Sequence, residues 1–471
     1  MAKLPLVEGV LKYVKENNIS FCMPGHKGGR GFKATSVGNK LIENLSQLDI
    51  TEVDGVDNLH KPEGIIKEAS QLLSNYYGSM KSYFLVNGST SGNLSAIFSC
   101  FDEGDKVIIE RNCHSSIFNA IVMRKLIPVY VKSKLNNKYN APFSIDMEHF
   151  FKILNENLDA KGIIITYPNY YGICCDLKLI CENAKKYKMT TIVDCAHGAH
   201  FGACSSLPQN PLILGADIAV MSAHKTLAAF NQTAFLHVSS TAKIDLDKLN
   251  FYVSAFTTTS PSYMLLCSLD YARYYLQTYG QEEYTKLIEV ANCYKNKINS
   301  LLHFHIIEST DKVVIDPTRY VINVENGLSG HLFAKYLKAN GIQVEMNDSS
   351  NVVLIFSPFN NKSEFEKLYQ CIKNCNVTKI KGSISINMKY NIPQMIIEPG
   401  NVLKAPKKWI GIDDSVGCIS ATNIIPYPPG IPIVMMGEKI EKDCLSIVKY
   451  YMECGNIIMG VKENRVQVVN S

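Results

Sequence analysis

The chain has 471 residues, of which 46% are hydrophobic and 19% charged, enough apolar mass for roughly two to four domains with real cores. This excludes an intrinsically disordered protein, and 29 Gly and 18 Pro without period exclude a collagen-like fibre. A net charge of +5, from 48 basic and 43 acidic residues spread evenly with no Lys/Arg run longer than two, gives no footprint for nucleic acid. Fifteen cysteines without a single Cys-x-x-Cys, behind an N-terminus with no apolar stretch, read as reduced thiols of a cytoplasmic protein. No metal is expected. The longest uncharged stretch, 415–437, could cross a bilayer by length, but Pro426, Pro428, Pro429 and Pro432 forbid a regular helix there, so a soluble protein is expected.

The first half alternates short apolar runs with helical stretches. A strand at 83–86 leads through the Gly/Ser turn 87–92 into a helix at 93–101. A strand at 107–110, a helix at 115–125 and a strand at 128–131 follow. The runs 162–166, 191–194 and 217–221 are continuously apolar, as strands buried on both faces are. Such alternation predicts an α/β domain with a mostly parallel sheet. A long helix at 266–302 then introduces a smaller α/β unit, with strands at 319–323 and 352–356 and helices at 330–340 and 362–375. The tail carries the Pro-rich segment and a helix at 439–454. No internal repeat is visible.

Ligands of parallel α/β sheets sit beyond the carboxyl ends of the strands, which singles out three turns. Asn87-Gly88-Ser89-Thr90-Ser91-Gly92 has the small residues and hydroxyls of a phosphate cradle at a helix N-terminus, although an ordinary capped turn has the same composition. The run ending at Asp194 places a carboxylate at the tip of an apolar strand, where it needs a cationic partner. Ser222-Ala223-His224-Lys225-Thr226 places a lysine just past another; burial there would lower its pKa as an amine nucleophile requires, while an exposed loop lysine is the plain alternative. Together, a phosphate cup, an aspartate for a ring nitrogen and a lysine for an aldehyde are the needs of pyridoxal phosphate. Cys195 alternates away from Asp194 and reads as packing.

These turns belong to a longer series of motifs: Met23-Pro24-Gly25-His26-Lys27-Gly28-Gly29, Thr51-Glu52-Val53-Asp54-Gly55-Val56-Asp57-Asn58-Leu59, Leu85-Val86-Asn87-Gly88-Ser89-Thr90, Arg111-Asn112-Cys113-His114, Asp194-Cys195-Ala196-His197-Gly198-Ala199-His200, Ser222-Ala223-His224-Lys225-Thr226, Thr257-Thr258-Thr259-Ser260-Pro261-Ser262-Tyr263, Pro426-Tyr427-Pro428-Pro429-Gly430-Ile431-Pro432 and Gly437-Glu438. In this order the sequence resembles the ornithine/lysine/arginine decarboxylase family of fold-type-I pyridoxal phosphate enzymes, in a short form without an N-terminal wing. The resemblance implies an aspartate-aminotransferase-like large domain (1–277, with the N-terminal segment), a small α/β domain (278–386) and a C-terminal α+β domain (387–471).

It also implies roles. Lys225 would hold the cofactor as a Schiff base, Asp194 would pair with the pyridine nitrogen and His114 would stack on the ring. Ser89, Thr90, Ser222 and His224 would hold the phosphate, Ala196 would pack against the ring with His197 beside it, and Thr258 would reach the neighbouring subunit's phosphate in a homodimer whose active site lies at the interface, with higher oligomers open. Two positions depart from the family: Ser115 stands where a lysine is usual, and Cys195 where glutamate is frequent. The implied activity is decarboxylation of a basic amino acid, arginine or lysine before ornithine. An aminotransferase on the same fold, or a non-catalytic partner subunit, are the alternatives. Glu438 could face a basic substrate or satisfy backbone amides, the latter being favoured. His26 could approach the site or brace its loop, His200 reads as structural, and His237 and His305 read as packing or surface residues.

Overall fold

The structure, a computed structural model, describes residues 3–136, 138–310, 313–382, 391–427, 432–453 and 456–470. Residues 428–431 of the Pro-rich motif therefore lie outside the described residues. The central element is a seven-stranded sheet: β1 (Ser79–Leu85), β2 (Lys106–Glu110), β3 (Ile127–Val131), β4 (Gly162–Thr166), β5 (Thr190–Asp194), β6 (Ile218–Met221) and β7 (Ala234–Ser239). Their order is β1-β7-β6-β5-β4-β2-β3. Only β7 runs antiparallel to its neighbours, so the carboxyl ends of the other six strands meet at one edge. Alternation divides the strand side chains between two cores. Ile163, Ile165 and Val193 face one, and Ile164, Ile192 and Val220 the other, as a sheet covered on both sides requires. Pro128 lies in β3, one of the two edge strands, where its missing N–H is tolerated.

The helix expected at 93–101 begins earlier: α1 spans Gly88–Cys100, so the Gly/Ser turn is itself the first helical turn. Gly88 has φ +75°, which a residue with a Cβ adopts only with strain. After β2, α2 spans Ser115–Arg124 with His114 as its N-cap. After β7, α3 runs unbroken over Tyr263–Asn299 and so crosses position 277.

Beyond α3 lies a four-stranded antiparallel sheet of β8 (Phe304–Ile306), β9 (Arg319–Val324), β10 (Met346–Asn347) and β11 (Asn351–Ile355), in the order β8-β9-β11-β10. Helices Gly330–Ala339 and Lys362–Lys373 accompany it. The N-terminal segment joins this unit, because Ile19–Phe21 pairs in parallel with Ile342–Val344. The C-terminal part has its own core (Ile412, Val434, Ile447, Val466) among a three-stranded sheet, a strand pair and the helix Lys442–Glu453. Among the described residues, no helix is long and apolar enough to cross a membrane.

Candidate active site

Thr166 of β4 and Val220 of β6 lie in register with Asp194 of β5, so the three turns that follow these strands open on one space. Asp194 is buried. Its Oδ2 accepts from Asn93 Nδ2 and its Oδ1 from the Ala196 amide, each at 3.1 Å, which fixes the plane of the carboxylate. Asn93 comes from the second turn of α1, and its Nδ2 also donates to Ser116 Oγ at 2.9 Å. Ser116 in turn meets His114 Nδ1 at 2.8 Å. One chain of hydrogen bonds therefore runs from Asp194 to the imidazole that caps α2. Desolvation lowers the basicity of His114; Asp194 pulls it up and Lys225 pushes it down further.

The Lys225 Nζ lies 3.1 Å from His197 Nε2. Desolvation brings its pKa down to about 8, against the pull of Asp194 and with a further push from Arg319. His197 is buried and held well below its usual range by desolvation, with Lys225 and Arg319 adding to the effect. A neutral imidazole against an amine of depressed pKa is a pair between which a proton can pass. At the other end of the space, Ser222 Oγ donates to Ser89 Oγ at 2.8 Å, joining the β6 turn to the first turn of α1. Thr90 is exposed beside them. His224 turns to the Thr233 carbonyl, which its Nδ1 meets at 2.8 Å. Thr258 is exposed, and its amide donates to Asn87 Oδ1 of the same chain at 3.4 Å. Cys195 packs in the main core, and Ser115 is exposed at the start of α2.

Three residues that sequence reasoning did not single out belong to this site. Asn93 reads as an ordinary helix residue, and only folding brings it to Asp194. Glu110, at the tip of β2, accepts from the Thr166 amide at 3.2 Å; burial, with a further push from Asp194, raises its pKa to about 7. Arg319, opening β9, donates to the carbonyls of Tyr170 (2.8 Å) and His197 (3.3 Å) and to Asp316. Other expectations resolve differently. His26 Nδ1 accepts from the Gly29 amide and its ring sits by Phe32 and Phe230, so it braces its loop. His200 meets Asp316 and Thr318, His237 meets Ser82 and His305 stacks on Tyr139, all structural. Glu438 does accept a backbone amide, from Met435, but its main partner is Arg111.

The set fits pyridoxal phosphate. It offers a buried carboxylate, an amine of lowered pKa, hydroxyls and small residues at a helix N-terminus, and two buried polar atoms without a protein partner, Asn93 Oδ1 and His197 Nδ1. Comparison with known proteins agrees. The family model "Orn/Lys/Arg decarboxylase, major domain" matches residues 4–325 and its C-terminal-domain counterpart residues 400–458. The uncharacterized protein YaaO of Bacillus subtilis is 32% identical over 98% of both chains. An arginine decarboxylase of the same organism is 30% identical over 99% of this chain and 97% of its own. The structure of the constitutive lysine decarboxylase of E. coli superposes with a TM-score of 0.78 at 21% identity, over 99% of this chain and 82% of that one. The chain belongs to the Orn/Lys/Arg decarboxylase family and is a pyridoxal-phosphate-dependent decarboxylase of a basic amino acid.

Proposed function

We propose that the substrate is L-arginine, that Lys225, Asp194 and His114 are the catalytic residues, and that the enzyme works as a cytoplasmic homodimer. Arginine is favoured because the relatives named arginine decarboxylase match this chain at about 30% identity along nearly their whole length, whereas those named lysine decarboxylase match at 23%. The observation that carries the catalytic assignment is the hydrogen-bonded set Asp194–Asn93–Ser116–His114 facing the Lys225–His197 pair.

Bound pyridoxal phosphate supplies an electron sink for the pair left when carbon dioxide departs. Lys225 would hold its aldehyde carbon, and the amine is suited to this because its lowered pKa leaves a useful neutral fraction near pH 8. Asp194, oriented by Asn93 and Ala196, would hold a proton on the ring nitrogen. His114 and Ala196 would pack against the ring, with His197 beside them. Ser89, Thr90, Ser222 and His224 would hold the phosphate, Ser89 and Ser222 as a pair already joined. Lys225 and His197 together hold the proton that the carbon needs after carboxylate loss. Buried Ala196, His197 and Ser222 exclude water from that side.

Thr258, exposed beside Asn87, lies on a loop suited to reach a neighbouring subunit's phosphate. The three-part division at 277/278 and 386/387 is part of the same proposal, with α3 shared by the first two parts and the second boundary lying outside the described residues. The test is to incubate the full chain, loaded with pyridoxal phosphate, separately with arginine, lysine and ornithine, and to identify the amines by mass spectrometry. Arginine should be turned over best, and Lys225→Ala should lose several orders of magnitude in kcat. A keto acid product, or turnover unchanged in Lys225→Ala, overturns the assignment.

A further inference from the structure

A buried ion pair joins the turn after β2 to the C-terminal part of the chain. Arg111 and Glu438 are 1% and 0% exposed. The guanidinium grips the carboxylate with both prongs, Nη1 to Oε1 at 2.5 Å and Nη2 to Oε2 at 2.7 Å. Two further donors reach the carbonyls of Pro432 and Ile433, both at 3.3 Å, and the guanidinium lies over the Tyr130 ring at 4.7 Å. Glu438 is equally committed, its Oε2 accepting from the Met435 amide at 2.7 Å. With both oxygens engaged and no exposed surface, Glu438 is no receptor for a substrate's distal cation.

The two partners come from different parts of the chain. Glu438 belongs to the C-terminal part, in a turn that allows no side chain before it: a Cβ on Gly437 would stand 2.0 Å from the Ile397 carbonyl oxygen. Arg111 is the first residue after β2, tied by its amide to the Val131 carbonyl at 2.9 Å. It opens the four-residue turn that ends in His114. Buried ion pairs are poor evidence of stability, because desolvation cancels much of their attraction. What a two-pronged pair does fix is direction.

We propose that Glu438 is a positioning residue for the decarboxylation: its grip on Arg111 sets the turn that aims the His114 imidazole at the space shared with Asp194 and Lys225. The C-terminal part of the chain is then a brace for the active site rather than an appendage to it. From Glu438 the connection continues through Arg111 and the turn to His114, then by hydrogen bonds through Ser116 and Asn93 to Asp194. The inference rests on the role of His114 given above.

The test compares Glu438→Gln, His114→Ala and the double variant, each as the full chain loaded with pyridoxal phosphate. Glu438→Gln should lower kcat by about tenfold or more with KM changed by less than about threefold, and should alter the visible circular dichroism of the bound cofactor in the same sense as His114→Ala. In the His114→Ala background, adding Glu438→Gln should change kcat by less than about twofold, because effects transmitted through one residue do not add. Losses that multiply instead, or Glu438→Gln at the wild-type kcat, overturn the proposal. His114→Ala with unchanged kcat and dichroism removes the role of His114 itself, a separate failure. If Glu438→Gln does not fold, the pair Arg111→Met/Glu438→Leu, which buries no charge, takes its place, and full activity in that variant also overturns the proposal.

Discussion

A carboxyl group walled off from water keeps its proton to higher pH, and Glu110 does so beside a second carboxylate. Burial, opposed by the Thr166 amide and aided by Asp194, raises its pKa to about 7 from an ordinary 4.5. Folding therefore favours its protonated form. Below about pH 4.5 folded and unfolded chains both hold the proton and Glu110 exacts no penalty. Between there and about pH 7 only the folded chain holds it, so this contribution to stability falls as pH rises. Glu110→Gln keeps the acceptor for Thr166 but cannot ionise. Its unfolding midpoint should match the wild type at pH 4 and exceed it at pH 8, by a gain on the order of 3 kcal/mol at most. Calorimetry at the two pH values checks this. Lys225 gives the complementary case. Because burial lowers its pKa to about 8, the neutral amine grows in as pH rises, and the rate of cofactor attachment to the apoenzyme should climb through about pH 8 and then level. Stopped-flow absorbance of the attached cofactor reads it directly, and a flat profile from pH 6 to pH 9 would contradict it.

Elements matter here chiefly through the places where they touch the lysine turn. The segment around Gly25 crosses directly under it: the Gly25 amide donates to the His224 carbonyl at 2.7 Å, and Ser357 of the small domain donates to the Gly25 carbonyl at 2.6 Å. A Cβ on Gly25 would stand 2.5 Å from the Leu227 carbonyl oxygen, and neither backbone can yield without moving the turn. Gly25→Ala should therefore cost about 1–3 kcal/mol of stability and lower kcat disproportionately, seen as a loss of activity in protein that still melts cooperatively. None of this proximity is legible in the motif Pro24-Gly25-His26, whereas Asp194, Lys225 and the Ser89 turn are, because each follows an apolar strand and local pattern is enough to find it. Asn93 and Arg319 are illegible for the opposite reason: their partners are 101 and 122 residues distant, and only the strand order creates the contact. β7 escaped notice as well. Its pattern is broken by His237, whose Nδ1 meets Ser82 Oγ from the neighbouring strand.

At the scale of the whole molecule, one helix is out of keeping with the rest. Pro5–Lys15 buries none of its residues. Leu6 (78% exposed), Val10 (53%) and Val14 (63%) form a stripe at i, i+4 and i+8, with Val7 and Leu11 beside it. An 11-residue helix containing Gly9 and three valines lies below the roughly 12–15 residues at which isolated helices become even marginal in water. Its stability must come from packing, and among the described residues of its own chain nothing buries it. In the homodimer proposed above, the natural cover is the other subunit. Wild-type protein should accordingly sediment at twice the mass of one chain, and Leu6→Glu/Val10→Glu, which puts charge on the stripe without touching any core, should shift it towards single chains at micromolar concentration. Because the Thr258 loop is then deprived of a neighbour, activity should fall in step with the dimer fraction as the variant is diluted. A variant that stays dimeric and fully active would place this helix outside the interface and leave its apolar face to another partner.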